Sequence, residues 1–184
     1  MNKYLTRQEL EQMCSEVDTV FSDFDDTLVD SLQADVTMLN ERYGTNVDKS
    51  EVMCWNFRDV FPQLKEDEIE ELFDDPYFFE IVQFKERAKE FILSIPNAKI
   101  ITKGRPKNLE LKKQWLYNNG LGNIPFIGIG LDDSKGDYID YNSLLIDDNK
   151  GNLESVDCKY KVMMKTNSFS EWQSGYEGYH IRNW

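Results

Sequence analysis

Histidine is almost absent: His180 is the only one in 184 residues. A Ser-His-Asp or Cys-His mechanism is therefore disfavoured, as is a metal site built from several imidazoles. Cysteine is scarce too. Cys14, Cys54 and Cys158 are odd in number, far apart and without a CxxC pair. That argues against a zinc site or a disulfide framework and for three free thiols. Long apolar runs are missing, so no segment approaches the roughly 18 residues of a transmembrane helix. The opening MNKYLTRQELEQMC is charged throughout and lacks the apolar stretch of a signal peptide. A cytoplasmic protein without a membrane partner is the expectation. Basic residues are outnumbered, 21 Lys and Arg against 34 Asp and Glu, for a net charge of −13. Such a chain repels nucleic-acid polymers and anionic membranes. Its one modest basic cluster, Lys103, Arg105, Lys107, Lys112 and Lys113, suits at most one small phosphorylated molecule. Carboxylates, a hydroxyl, an ammonium and an oxygen-ligated metal are what remain for chemistry.

What is present fits one domain, or a core domain with a small insert. Hydrophobic residues make up 40% of the chain. Short apolar segments at Thr19–Phe24, Ala98–Thr102, Pro125–Ile129, Ser143–Ile146 and Tyr160–Met164 read as strands buried on both faces. Helices are expected at about Leu5–Ser15, at Ser31–Tyr43 with Asp30 or Ser31 as N-cap and Gly44 as stop, near Glu66–Phe73, at about Lys85–Leu93, and from Pro106 to Gly120. Pro76 reads as a break. Strands alternating with helices predict an α/β fold with a Rossmann-like parallel sheet core. The segment between the first two of these strands is far longer than one crossover helix needs. It reads as a small helical cap inserted after the first strand, residues 32–84, on a core formed by 1–31 and 85–184.

In open α/β sheets the ligand site lies beyond the carboxyl ends of the strands. Four polar pieces stand there in order. Asp23-Phe-Asp25-Asp26-Thr27-Leu28 follows the first strand and Thr102-Lys103-Gly104 the second; Lys135 lies in the loop after the third, and Asp147-Asp148 follows the fourth. Carboxylates packed together raise one another's pKa, and a hard dication relieves that; Mg2+ takes a few carboxylate oxygens, water and a substrate phosphate. A carboxylate nucleophile can form an aspartyl-phosphate. Thr102 and Lys135 can hold phosphoryl oxygens. The turn Thr102-Lys-Gly-Arg-Pro106 opens a helix whose exposed amides favour an anion. Taken singly, Asp147-Asp148 is usually a solvated turn, Thr102 a capping residue and Lys135 a surface lysine; it is the ordered set that argues for a site. Other motifs fail. An EF-hand beginning at Asp23 would need glycine where Leu28 stands, no Walker loop exists, and Gly128-Ile-Gly130 lacks the third glycine of a dinucleotide fingerprint.

At these residues the chain resembles the haloacid dehalogenase superfamily of phosphohydrolases. Asp23 to Thr27 match its Asp-x-Asp-x-Thr/Val motif, Thr102 its second motif, Lys135 its third and Asp147-Asp148 its acidic fourth. The resemblance implies Asp23 as nucleophile, Asp25 as general acid and base, and Mg2+ held by Asp23, the backbone carbonyl of Asp25 and one or both of Asp147 and Asp148. Asp26, Thr27, Lys103, Gly104 and Arg105 would border the phosphate. Within the superfamily, Leu39-Asn-Glu-Arg-Tyr-Gly44, Trp55-Asn-Phe57 and the acidic helix after them resemble the 5′(3′)-deoxyribonucleotidases, as does the spacing from Thr102 to Lys135 and Asp147. That family usually has Thr-Ser-Pro where this chain has Thr102-Lys-Gly-Arg.

The expected substrate is thus a nucleoside monophosphate. A phosphosugar or other small metabolite is the alternative, and a non-catalytic phosphate-binding protein on the same fold the third reading. Most cap aromatics (Phe61, Tyr77, Phe78, Phe79) are expected to pack the cap. Trp55 and Phe57 are the two chosen to stack on a base.

Overall fold

A computed structural model describes residues 2–166 and 170–184. The strands in chain order are β1 (Lys3–Tyr4), β2 (Thr19–Ser22), β3 (Ala98–Lys103), β4 (Phe126–Ile129), β5 (Ser143–Asp147), β6 (Tyr160–Met164) and β7 (Tyr179–Ile181). The helices are α1 (Arg7–Ser15), α2 (Ser31–Tyr43), α3 (Glu66–Leu72), α4 (Pro76–Ile81), α5 (Ala88–Ser94), α6 (Pro106–Leu116) and α7 (Lys150–Glu154). The strands form one parallel sheet in the order β1-β7-β6-β5-β2-β3-β4. This is the expected Rossmann-like α/β architecture. From β2 the chain steps outward through β3 and β4, then returns to the other side of β2 with β5. Strand order therefore reverses at β2, where a crevice opens at the carboxyl ends.

Side-chain alternation along the strands separates two cores. Val20, Ile100, Leu144, Ile146, Val162 and Met164 face the larger, which also takes buried residues of α1, α2, α5 and α6. Phe21, Ile101, Leu145 and Met163 face the smaller, closed by Leu153 of α7 with Ile139, Val156 and Tyr176. Burial on both faces is why these strands read as unbroken apolar runs.

Five strands lie where the apolar runs predict them, and β1 and β7, neighbours at one side of the sheet, do not. Only two and three residues long, β1 and β7 are too short for a period-two pattern to appear. They are held by pairing, with Lys3 N–H donating to Gly178 O at 2.9 Å and Leu5 N–H to His180 O at 2.8 Å. The lone His180 is buried there between the rings of Tyr4 and Tyr176. Neither ring nitrogen has a partner among the described residues, and burial pushes its pKa down.

Between β2 and β3 the chain is helical. It leaves at Val29 and returns at Phe84, where those two residues form an isolated antiparallel bridge. Asp30 N–H donates to Gln83 O at 3.0 Å and Lys85 N–H to Leu28 O at 3.0 Å, so the exit and return paths lie side by side. α2 has the expected bounds. The Asp30 side chain caps it, and Gly44 ends it at φ 65°, a conformation that only glycine adopts freely. Pro76 does not break the helical segment but starts α4, because its missing N–H is harmless in a first turn; Asp75 caps it by accepting from Tyr77 N–H at 2.9 Å. No helix among the described residues is long and apolar enough to cross a membrane.

Candidate active site

The carboxyl ends of β2, β3 and β5 converge on a cavity of about 720 Å³, within the range of small-ligand sites. Asp23 begins the turn after β2, and its N–H donates to Ile146 O at 2.9 Å, locking that turn to β5. Asp26 stands at φ 48°, a left-handed conformation in which Asp is among the few tolerated residues, and this bends the chain sharply between Asp25 and Thr27.

Asp23, Asp147 and Asp148 each offer a carboxylate oxygen within 4.8 Å of the other two, and all three residues are buried. Lys135 is wholly buried and donates at 2.6 Å to both Asp23 Oδ1 and Asp147 Oδ2. Burial and the neighbouring Asp147 and Asp25 push the Asp23 carboxyl up to about 7 against the pull of Lys135. Burial, Asp26, Asp147 and Asp23 raise Asp148 well above the usual carboxylate range. For Lys135 burial alone would lower the pKa, but Asp147 and Asp23 outweigh it and raise it. With all three carboxylates ionised, the one ammonium would leave an excess of two negative charges. An oxygen-rich, buried, doubly negative pocket suits a hard dication such as Mg2+. Asp147 is further oriented by Asn149 N–H at 2.8 Å and by the Asn152 amide at 3.1 Å.

Asp25 also lines the cavity, but its side chain lies outside the three-carboxylate cluster. It accepts from Ser31 Oγ at 2.8 Å and from Lys112 Nζ at 2.5 Å. Lys112 is buried on α6 and donates also to Thr102 Oγ1 at 3.1 Å and Lys103 O at 3.0 Å. Sequence reasoning placed Lys112 only in a loose basic cluster. Its position on the inner face of α6, three residues before the buried Trp115, was the available signal.

Thr102, Lys103, Gly104 and Arg105 all line the cavity. A Cβ on Gly104 would lie 2.5 Å from Asn108 Oδ1, so glycine is what lets the turn close onto the first turn of α6. No side chain caps that helix, which begins with Pro106 at its first turn. Trp55, with Ile69 and Phe73, forms the apolar wall.

Three of the expected substrate contacts are corrected. Phe57 is completely buried beneath Trp55, its ring centroid 6.3 Å from the indole, because its ring is spent on the large core that also takes one face of the sheet. Asp26 is buried and turned into the fold, where Oδ1 accepts from Leu32 N–H at 2.9 Å. Thr27 is buried as well, and its carbonyl accepts from Trp184 Nε1 at 2.8 Å. Neither lines the cavity. Asp35 of α2, which no sequence motif marks, is fully buried with neither oxygen partnered among the described residues, and burial, then Asp26 and Asp25, raise it well above the usual range. The three cysteines are free, with Cys14 and Cys158 buried.

No protein-family model matches the chain, and none of the curated proteins matches it. Solved structures do. A predicted phosphoglycolate phosphatase from Haemophilus somnus superposes with TM-score 0.63 at 16% identity, over 91% of this chain and 95% of its own. The fold is the haloacid dehalogenase-like fold. A haloacid dehalogenase-like family hydrolase from Streptococcus pneumoniae gives 0.61 at 15% identity, over 92% and 95%. A HAD-type hydrolase from Bacillus subtilis, solved bound to magnesium, gives 0.56 at 15% identity, over 91% and 95%. At such identities the likeness is one of fold.

Proposed function

We propose that this chain is a magnesium-dependent phosphomonoester hydrolase that works through an aspartyl-phosphate on Asp23. The observation that carries this reading is the shared ammonium of Lys135 between Asp23 and Asp147, buried beneath a cavity that Asp23, Asp25, Thr102 and Asp148 line. A similar fold described as a phosphatase, and another, a hydrolase, solved bound to magnesium, agree with it.

In the proposed reaction an Asp23 oxygen attacks phosphorus and the ester P–O bond breaks. Asp25 gives its proton to the departing oxygen, which leaves as an alcohol. Asp25 then takes a proton from water, whose oxygen attacks the aspartyl-phosphate; phosphate leaves and Asp23 is restored. Lys135 holds Asp23 in place and offsets charge on the phosphoryl oxygens, and Thr102 and the first amides of α6 bind those oxygens. Mg2+, held by Asp23, Asp147, Asp148 and the Asp25 backbone carbonyl, would supply electrostatic stabilisation of the phosphoryl charge.

Residues 32–84 act as the cap in this reading. Their paired exit and return paths, and the wall they provide through Trp55, Ile69 and Phe73, support that role. The finer proposal is a 5′-nucleotidase for (deoxy)nucleoside monophosphates, with the base against Trp55. A small phosphorylated metabolite is the second reading, favoured by the burial of Phe57 and by the phosphoglycolate phosphatase among the similar folds. Three unpaired thiols accord with a reducing cytoplasm. The test is phosphate release from a panel of nucleoside monophosphates, sugar phosphates and phosphoglycolate, with magnesium and with chelator. Release from nucleotides only with magnesium is expected. Release from small metabolites alone selects the second reading, and activity undiminished by excess chelator removes the metal.

A further inference from the structure

Trp172 takes part in no step of that reaction, yet it touches both sides of the cavity. It lies in the short 3-10 turn Glu171–Gln173 between β6 and β7. Its indole Nε1 donates to Asp148 Oδ2 at 2.6 Å. Its ring packs on Trp55 with centroids 4.9 Å apart and planes at 35°. Beside it, Glu171 N–H donates to Met53 O at 2.9 Å, a second tie between this turn and the helical segment. Trp55 and Asp148 line the cavity; Trp172 does not, and so stands behind both.

A hydrogen bond on one carboxylate oxygen fixes the rotation of the group and leaves the other oxygen to bind. Partners that orient a metal ligand in this way typically change metal affinity 10- to 100-fold. Asp148 needs such a partner more than most, because it is buried and faces Asp23 and Asp147 within 4.8 Å. A flat ring stacked on the same indole makes the position of that partner depend on where residues 32–84 sit.

We propose that Trp172 is a positioning residue that couples the helical segment to the metal site: with Trp55 stacked on it, its N–H holds the Asp148 carboxylate in the orientation that takes the cation. This rests on reading Asp23, Asp147 and Asp148 as the magnesium site. Metal binding and docking of the segment are then linked, and by reciprocity each strengthens the other.

Magnesium titrated by calorimetry into the full-length chain, without substrate, tests this. Trp172→Phe keeps an aromatic ring and removes the donor; it is expected to weaken binding about 10- to 100-fold. Trp172→His can place its Nε2–H at nearly the same distance from Cβ as the indole N–H and is expected to recover most of the loss. Trp55→Ala is expected to weaken binding several-fold in the wild-type background and to add little on top of Trp172→Phe. Asp147→Asn is the control that removes a ligand. Thermal midpoints without magnesium verify that each variant is folded; if Trp172→Phe is not, Trp55→Ala and Trp172→His still decide. Wild-type affinity in a folded Trp172→Phe, equal losses in Trp172→Phe and Trp172→His, or full affinity in Trp55→Ala overturns the inference while magnesium binding that fails in Asp147→Asn leaves the metal site standing. A wild-type chain that binds no magnesium overturns the metal reading and this inference with it.

Discussion

On the floor of the cavity, Lys135 is fully buried and lies 2.6 Å from both Asp23 and Asp147; on its wall, Arg105 is about one-third exposed and pairs with Asp74 at 2.9 Å. Each is a cation–carboxylate pair that reaches the cavity through one member, Asp23 in the first and Arg105 in the second, but the first joins β2, β5 and the turn after β4 below the sheet's carboxyl edge. The second ties the start of α6 to the turn between α3 and α4. Removing one partner of a buried pair strands a charge away from water and costs about 3–5 kcal/mol, whereas an exposed pair is worth about 0–1 kcal/mol. The floor is thus built to hold charges in fixed positions, and the wall to be held more loosely. That division suits chemistry below and substrate admission above.

The sharpest way to break the floor is to remove the proposed nucleophile. Asp23→Asn keeps the shape of the side chain and its contact with Lys135, so the thermal midpoint is expected to stay near wild type. Phosphate release is expected to vanish, since enzymatic phosphate-ester hydrolysis can exceed the uncatalysed rate by up to ~10²¹-fold and no other carboxylate can take over the covalent route. A variant that keeps more than about a tenth of the activity means that Asp23 is not the nucleophile. Next in size is Asp25→Asn. A general acid and base is worth roughly 10²- to 10⁴-fold, and the loss is expected to shrink for esters with good leaving groups. Equal losses on good and poor leaving groups would count against Asp25 as the acid. Third is Lys135→Met, expected to cost about 3–5 kcal/mol in denaturant unfolding because Asp23 and Asp147 lose their shared partner. A loss below about 1 kcal/mol would place it with the exposed pairs.

How much of this was legible in the sequence follows the same division. The floor was, because Asp23, Thr102, Lys135 and Asp147 each sit just past an apolar run, and parallel strands force those positions to one edge. The wall was only partly so. Trp55 and Phe57 look equivalent in sequence, two residues apart; a 3-10 turn over Phe57–Asp59 turns one into the core and leaves the other at the cavity. Lys112 and Trp172 belong to no strand end. One reaches Asp25 and Thr102 from the inner face of α6, the other reaches Asp148 from a turn late in the chain, and only the folded chain brings them there. Asp26 and Thr27 fell to the opposite error, since adjacency to a motif suggested contact with substrate whereas the Asp26 carboxylate turns to Leu32 N–H and the Thr27 side chain is buried away from the cavity.

The wall offers two smaller tests. Trp55→Ala is expected to cost about 1–3 kcal/mol in binding a nucleoside monophosphate if a base stacks there, and to leave kcat/KM for a small artificial ester nearly unchanged. Equal losses on both substrates would make Trp55 a packing residue like Phe57.

The smallest effect is expected at Arg105, and its smallness is informative. The guanidinium pairs with Asp74, while the Asn108 amide on the next turn of α6 donates to Phe73 O, so two neighbouring contacts fasten the α3–α4 turn. With the pair about one-third and one-fifth exposed, Asp74→Ala should lower stability by about 0–1 kcal/mol, and added salt should shrink even that difference. Arg105 remains at the rim in this variant, beside the uncapped first turn of α6. Asp74→Ala removes a partner and not the rim cation itself, so KM is expected to stay near the wild-type value. Arg105→Ala removes the rim cation itself, so its KM should rise above that of Asp74→Ala. Measuring KM and unfolding free energy for the two variants separates the roles. Matching losses in both quantities would mean that Arg105 only fastens the wall, and the contrast between a fixed floor and a wall that meets substrate would then rest on Trp55 alone.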